Sequence, residues 1–398
     1  MIVHKSLEEA VSISCENIQA LDSEYIHLNH AFMRVAASNM SSFIDVPNFD
    51  RSSMDGYAIC QVDLEKLKNG SPLSLKVTAT IKAGSIESRQ IKTGETYRIM
   101  TGALLPEGSA AVIKQEDVQI DGNIIIACGS WKQGENIQRA GYELRAGDKL
   151  AAKGQVLKAE VLERIAACGI EKILVHNIPR IYVIDTGNEL LLPGFPVKTG
   201  QIYSSNRSLI SGKIAGTGAI PLLAESITDD DLQAIVNRIE KAVLVSDMVI
   251  ISGGTGKGVY DLVYKAFEHL GAELLFRTVN IIPGKGTSAA LYNGKLLYNL
   301  SGNPSSAGIL FEALIKPALL KLKGYLSSDR EWFDIQLGSP IKTKPYRSLY
   351  RGEMIIKQSC VYAQPISRGN SDSGKIPLIL DIQPGQGAIG NTVSAKLY

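Results

Sequence analysis

The spacing of hydrophobic positions changes along the chain, and the changes mark its parts. "SLEEAVSISCENI" opens with Ser6 and carries Glu9 three residues later, a capping-box pattern that predicts a helix. In "SPLSLKVTATIKAGS" (71–85), Leu73, Leu75, Val77, Ala79 and Ile81 alternate with polar residues, as in a half-buried strand. "TYRIMTGALLPEGSAAVIKQEDVQIDGNIIIA" continues with short strands broken by Gly and Asp-Gly turns, so residues 45–138 read as a small β-rich domain. "KAEVLERIAACGIEKILV" switches to a helical stripe at Val161, Leu162 and Ile165, stops at Gly169 and ends in a strand.

From residue 178 strand and helix alternate. "RIYVID", "IPLLAES" and "DMVIIS" are apolar strands; "SSNRSLISGKIAGTGA", "TDDDLQAIVNRIEKAVL" (capped by Thr228 or Asp229) and "VYDLVYKAFEHLG" are helices. That order predicts a parallel sheet covered on both faces, because each crossover lays a helix over it. "SAALYNGKLLYNL" reads as a hairpin about Asn293-Gly294, and "PSSAGILFEALIKPALLKLKG" as one closing helix. Beyond about residue 331 short strands return between "GSP", "RGN", "SGK" and "PGQG", a compact β-domain. The predicted fold is multidomain α/β: a doubly wound, mostly parallel domain (178–328), a β-rich domain (45–138), a discontinuous helical-β domain (1–44 and 139–177) and a C-terminal, barrel-like β-domain (329–398).

The totals narrow the functional classes. A chain of 398 residues exceeds one ordinary core. Its formal net charge of +2 speaks against a general nucleic-acid or membrane-surface binder. The five cysteines form no C-x-x-C pair, the five histidines no cluster, so neither a disulfide framework nor a structural zinc site is expected. With no signal peptide and no apolar run of membrane-spanning length, a cytoplasmic protein is expected.

Candidate chemistry lies on three small-residue loops that leave strand ends: "DTGNEL" (185–190), with Thr186, Gly187 and Glu189; "SGGTGKGVYD" (252–261), with Ser252, Gly253 and Gly254; and "SGNPSS" (301–306), with Ser301, Gly302, Asn303 and Pro304. In an open parallel sheet ligands bind outside the carboxyl ends of the strands. Small-residue loops there let backbone N–H groups and helix N-termini meet an anion. The same composition also serves tight βα turns. "GGTGKG" lacks the Ser or Thr after Lys257 that a phosphate-binding P-loop needs, and there is no G-x-S-x-G elbow. Carboxylates recur at loop ends: Asp55, Glu143, Glu189, Asp247 and Asp261. A phosphate-handling site uses such groups to hold Mg2+. Equally, Asp247 can simply precede its strand and Asp261 can support a helix N-terminus.

"FDRSSMDGYAI", "RIMTGALLPEG", "GENIQRAG", "PRIYVIDTGNEL", "GQIYSSN", "ISGG" and "LSGNPSS" follow one another as in molybdopterin molybdenumtransferases, the family of the bacterial molybdenum-insertion enzyme and the gephyrin E domain, which the whole chain resembles. The resemblance implies a molybdopterin-binding α/β domain, an elongated homodimer, and a site between the α/β domain of one subunit and the β-rich domain of the other. It implies insertion of molybdate into adenylylated molybdopterin with Mg2+-dependent release of AMP. It implies catalytic roles for Asp55, Thr101, Glu189 and Glu143, metal binding by Asp247 and Asp261, and ligand contacts from Ser301 to Pro304. Lys285, Lys257, Arg351 and Arg368 are the candidate cations for molybdate. The chain departs from the pattern at Asn188 and Ser204, where the family carries acids, at "GYE" (141–143) for "GED", with Glu143 or Asp148 supplying the acid, and at Ile282 and Gly286 in "IPGKG" for "KPGKP". Three roles fit: the transferase, a non-catalytic or regulatory molybdopterin-binding paralogue, and a partner-binding scaffold of the gephyrin E-domain kind.

Overall fold

The amino-terminal helix forms as its sequence dictates. Ser6 accepts from the Glu9 amide at 3.1 Å, and the Glu9 carboxylate accepts from the Ser6 amide at 2.7 Å. The structure, a computed structural model, describes residues 4–69, 71–87, 89–254, 262–326, 332–366 and 375–398. The helix Leu7–Glu16 does not join the 139–177 segment. Leu7 and Ala10 are buried with Leu310, Phe311 and Leu314 of the α/β domain. Residues 23–41 do join it: Ser23–His27 pairs antiparallel with Lys172–His176, and Met40–Ser41 with Lys149–Ala151. Ala36, Leu144, Leu157 and Ile165 share their core.

The β-rich part is a six-stranded sheet in the order Ser109–Lys114, Gly56–Cys60, Glu95–Ile99, Leu73–Ile81, Ile124–Ala127, Val118–Asp121. Along Leu73–Ile81 the alternation holds at every position, with the side chains of Ser74, Lys76, Thr78 and Thr80 exposed. Gln61–Lys68 is a helix that the periodicity did not reveal. Two turns are too short for a stripe, and a buried acid falls within them. Asp63 is stabilised there by Lys66 at 3.0 Å and the Gly94 amide at 2.7 Å.

The α/β domain holds the sheet Ile220–Leu223, Arg180–Asp185, Met248–Ser252, Lys295–Leu300, Ser288–Tyr292, Glu273–Phe276. Its first four strands are parallel and Ser288–Tyr292 is antiparallel. Asn293 and Gly294 both take positive φ, 51° and 72°, as a two-residue hairpin requires. One hydrophobic cluster lies under Asn206–Gly216 and the closing helix, the other under Leu232–Val245 and Leu262–His269. Asp231, rather than Thr228 or Asp229, caps Leu232–Val245, accepting from the Ala234 amide at 2.9 Å. The closing helix is interrupted by a π-helical turn, Phe311–Ile315, ahead of Pro317. Pro317 has no N–H for the carbonyl one turn back, so the regular ladder breaks there.

Phe333–Leu337, Cys360–Pro365, Ser348–Lys357, Pro377–Ile382 and Thr392–Leu397 close into a barrel. Leu349 and Ile379 of the barrel pack into the α/β core. Ile282 and the barrel strand bond each other's backbones, Ile282 N to Arg347 O at 3.1 Å and Leu349 N to Ile282 O at 2.7 Å. Among the described residues no helix is long and apolar enough to cross a membrane.

Candidate functional site

The first group of candidate residues sits on the β-rich part, where two sequence motifs lock together. Gly102 N donates to Ser52 O at 2.8 Å and Ser52 N to Ala103 O at 3.1 Å, joining "SSMDG" to "TGALLP". Within this lock Asp55 Oδ1 accepts from the Thr101 amide at 2.7 Å and the Thr101 hydroxyl at 2.6 Å. Those bonds, hydroxyl first and amide second, hold the Asp55 carboxyl below the usual carboxylate range, with Arg98 adding to the effect. Such a group is a fixed anion and a weak base. Asp55 therefore suits anchoring a ligand better than taking its proton. Gly56 must be glycine, because a Cβ there would lie 2.0 Å from Ile113 O. Glu143 forms an ion pair with Arg51 at 2.7 Å, and Arg51 also holds Gln138 at 2.8 Å.

The second group lies at the carboxyl ends of the parallel strands. Asn206, at the start of its helix, donates to Ser252 Oγ at 2.7 Å and to Gly302 O at 2.9 Å. One buried amide thereby ties the loop after Met248–Ser252 to the loop after Lys295–Leu300. Thr186 closes the third side, its N donating to Ser252 O at 3.0 Å and its hydroxyl to Asp230 at 2.7 Å. Gly253, at φ +113°, leaves no room for a side chain, since a Cβ would meet Thr186 O at 2.0 Å. Asn303 caps the next helix through Oδ1, accepting from Ser305 N at 3.0 Å and Ser306 N at 3.4 Å. Gly302, Asn303, Pro304 and Glu189 are exposed beside these loops, and Ser301 is half-buried. The edge thus offers hydroxyls, loop amides and a capped helix N-terminus, a surface suited to an anionic, phosphate-bearing ligand.

Beneath this edge Asp185 is 1% exposed. Neither of its carboxylate oxygens completes a hydrogen bond within the chain. Burial pushes its carboxyl up to about 6, against the opposing pull of Arg207, 3.8 Å away, and the Ser204 hydroxyl that faces it. Asn206, Asp185 and Arg207 were not among the sequence candidates. The "GQIYSSN" motif was the available signal for Asn206.

The metal assignment does not survive for Asp247. It stands at the amino end of its strand, where Oδ2 accepts from Arg180 N at 2.7 Å. Ser252 lies five residues further along the strand, roughly 17 Å at strand rise. Asp247 therefore faces away from the ligand loops and braces the opposite edge. Asp261, Lys257 and Arg368 lie outside the described residues. Among the described residues no three His, Cys, Asp or Glu side chains gather in one place. Lys285 is exposed, 5.4 Å from the Tyr346 ring, and Arg351 lies 5.1 Å from the Tyr398 ring. Two of the departures from the family pattern have structural duties: Asn188 Oδ1 accepts from Asp230 N at 3.0 Å, and Ile282 seats the barrel.

Comparison with known proteins agrees with this layout. The profile of the MoeA N-terminal region (domain I and II) matches residues 5–169, and that of a probable molybdopterin binding domain matches residues 182–321. A molybdopterin molybdenumtransferase of Nostoc sp. is 32% identical over 306 residues, 76% of this chain and 70% of the relative. One of Bacillus subtilis is 32% identical over 317 residues, 79% of this chain and 74% of the relative. The crystal structure of a molybdopterin biosynthesis MoeA protein from Pyrococcus horikoshii superposes with a TM-score of 0.84 at 29% identity, covering 100% of this chain and 99% of that one.

Proposed function

This chain belongs to the molybdopterin molybdenumtransferase family, as an enzyme of molybdenum cofactor biosynthesis, and from that premise we propose that it inserts molybdate into adenylylated molybdopterin with Mg2+-dependent release of AMP. The observation that carries the reading is the Asn206 clamp, which holds two small-residue loops side by side on the edge where an anionic ligand docks. Gly254 and Ser301, half-buried on these loops, bind and orient the phosphate-bearing pterin, while Thr186, Ser252 and Gly253 fix the shape of the loops, the Thr186 and Gly253 amides donating to Ser252 O at 3.0 Å and Leu300 O at 3.2 Å; Pro304 starts the helix that follows Asn303. Lys285, exposed on its loop, supplies a cation for molybdate. Asp55, held ionised by Thr101, anchors the ligand from the β-rich side, and Glu189 and Glu143 are the exposed carboxylates left to move a proton. Mg2+ supplies charge neutralisation on the phosphates when bound. Mg2+ held through substrate phosphates needs only one or two carboxylates, and no step is routed through it.

The active form is a cytoplasmic homodimer in which the β-rich part of one subunit completes the edge of the other. Supporting this, Phe195 at 59% and Ile202 at 57% exposure lie on the segment that follows Glu189, and Phe43 is 65% exposed on the linking unit. The test is AMP release from adenylylated molybdopterin by the purified protein, with and without Mg2+ and with molybdate or tungstate added in turn. Oxyanion-dependent release that Asp55→Asn abolishes is the expected result; binding without release would overturn it. For the dimer, mixing inactive Asp55→Asn and Glu189→Ala subunits restores activity only if each site draws on both.

A further inference from the structure

Six of the ten buried side-chain polar atoms without a partner, among the described residues, belong to one neighbourhood: both Asp185 oxygens, Ser204 Oγ, Asn206 Oδ1, Arg207 Nη1 and Thr228 Oγ1. Asp185 ends the Arg180–Asp185 strand, residues 204–207 enter the following helix, and Thr228 N donates to Asp185 O at 2.9 Å. A buried polar atom left unpaired destabilises the fold, and more so when it is charged. The Arg207 guanidinium, whose side chain is 13% exposed, offsets only part of this at 3.8 Å. A buried ion pair of such length is a poor stabiliser. The cluster is enclosed and carries both donors and acceptors, the setting in which ordered water binds.

The next residues give the arrangement its use. Asn206 sits between Ser204 and Arg207 in sequence and clamps Ser252 to Gly302. We propose that Asp185 is a positioning residue for the ligand loops: through Ser204, Arg207 and bridging water, its carboxylate sets the turn that aims the Asn206 amide at both loops. The charge is kept in the interior for the geometry it imposes on the edge above it. This inference rests on the reading of that edge as the molybdopterin site.

The experiment compares the full-length wild type, Asp185→Asn, and Asp185→Asn combined with Ser204→Asp. It reads molybdopterin affinity, measured anaerobically by fluorescence titration, and amide exchange of peptides covering 251–254 and 299–303. Asp185→Asn keeps the volume and removes the charge. It weakens binding at least ~10-fold and speeds exchange in both loops, while the fold persists. Ser204 lies beside the Asp185 carboxyl, so its replacement by Asp returns an anion to the same pocket and brings affinity back to within about threefold. A merely structural role gives neither the loss nor the rescue. Wild-type affinity and loop exchange in Asp185→Asn, or no recovery in the double variant, overturns the proposal. If the wild type fails to bind molybdopterin, the functional reading falls, and loop exchange alone still decides whether Asp185 governs the clamp.

Discussion

Replacing Asp185 with Asn should stabilise the α/β domain at neutral pH and leave it unchanged in acid. In the folded chain the Asp185 carboxyl is raised from 3.8 to about 6. Roughly two pKa units correspond to about 3 kcal/mol between the protonated and ionised forms. Because the folded-state value lies above the unfolded one, the folded chain binds more protons between them. Its stability relative to Asp185→Asn therefore falls as pH rises from about 4 to about 6, and the deficit is constant above that. The Arg207 attraction is already contained in the shift, so losing that partner is not a separate correction. Amide hydrogen exchange of the strand interiors 181–184 and 248–250 reports the opening free energy of this domain without requiring the whole chain to unfold as one unit. Protection in the variant should exceed that of the wild type by about 3 kcal/mol at pH 7 and by little at pH 4. A difference that is the same at both pH values, or a wild type that is better protected at pH 7, would refute the reasoning. Slower exchange in the strand cores together with faster exchange in the ligand loops is the expected signature of a charge retained for function at the expense of stability.

Other perturbations test the site piece by piece. Asn206→Ala removes the clamp and leaves Ser252 and Gly302 short of a donor, so KM for adenylylated molybdopterin should rise and stability should fall by about 1–3 kcal/mol, read by enzyme kinetics and thermal unfolding. Gly253→Ala should abolish ligand binding, since its Cβ meets the Thr186 carbonyl; retained affinity would show that the loop takes another path. Thr101→Val removes the largest influence holding the Asp55 carboxyl down, so a carbon-detected NMR titration should find it moved upward. Glu312→Gln strips the shared partner from Lys213 and Lys316, at 2.8 and 2.5 Å, and should cost about 3–5 kcal/mol in chemical denaturation.

What the sequence determined by itself was whatever depends on near neighbours. The capping box at Ser6 and Glu9, the alternation along Leu73–Ile81, the Asn293-Gly294 turn and the succession of strands and helices all follow from spacing of a few residues. Glycine at 56 and 253 was visible as composition, but its cause, a carbonyl 2.0 Å from where Cβ would be, belongs to a distant segment. The ligand loops could be named because small residues at strand ends are a local pattern. That Asn206 ties two of them together could not, since Ser252 and Gly302 are 46 and 96 residues away. Asp247 was misassigned for the same reason. Its chemistry suits a metal, but only the strand's direction decides which edge of the sheet it occupies. Asp185 looked like part of a loop motif until its burial, and the guanidinium facing it, were known. Charge, hydrogen bonding and proton affinity depend on distance in space, and the chain sets those distances only when it folds.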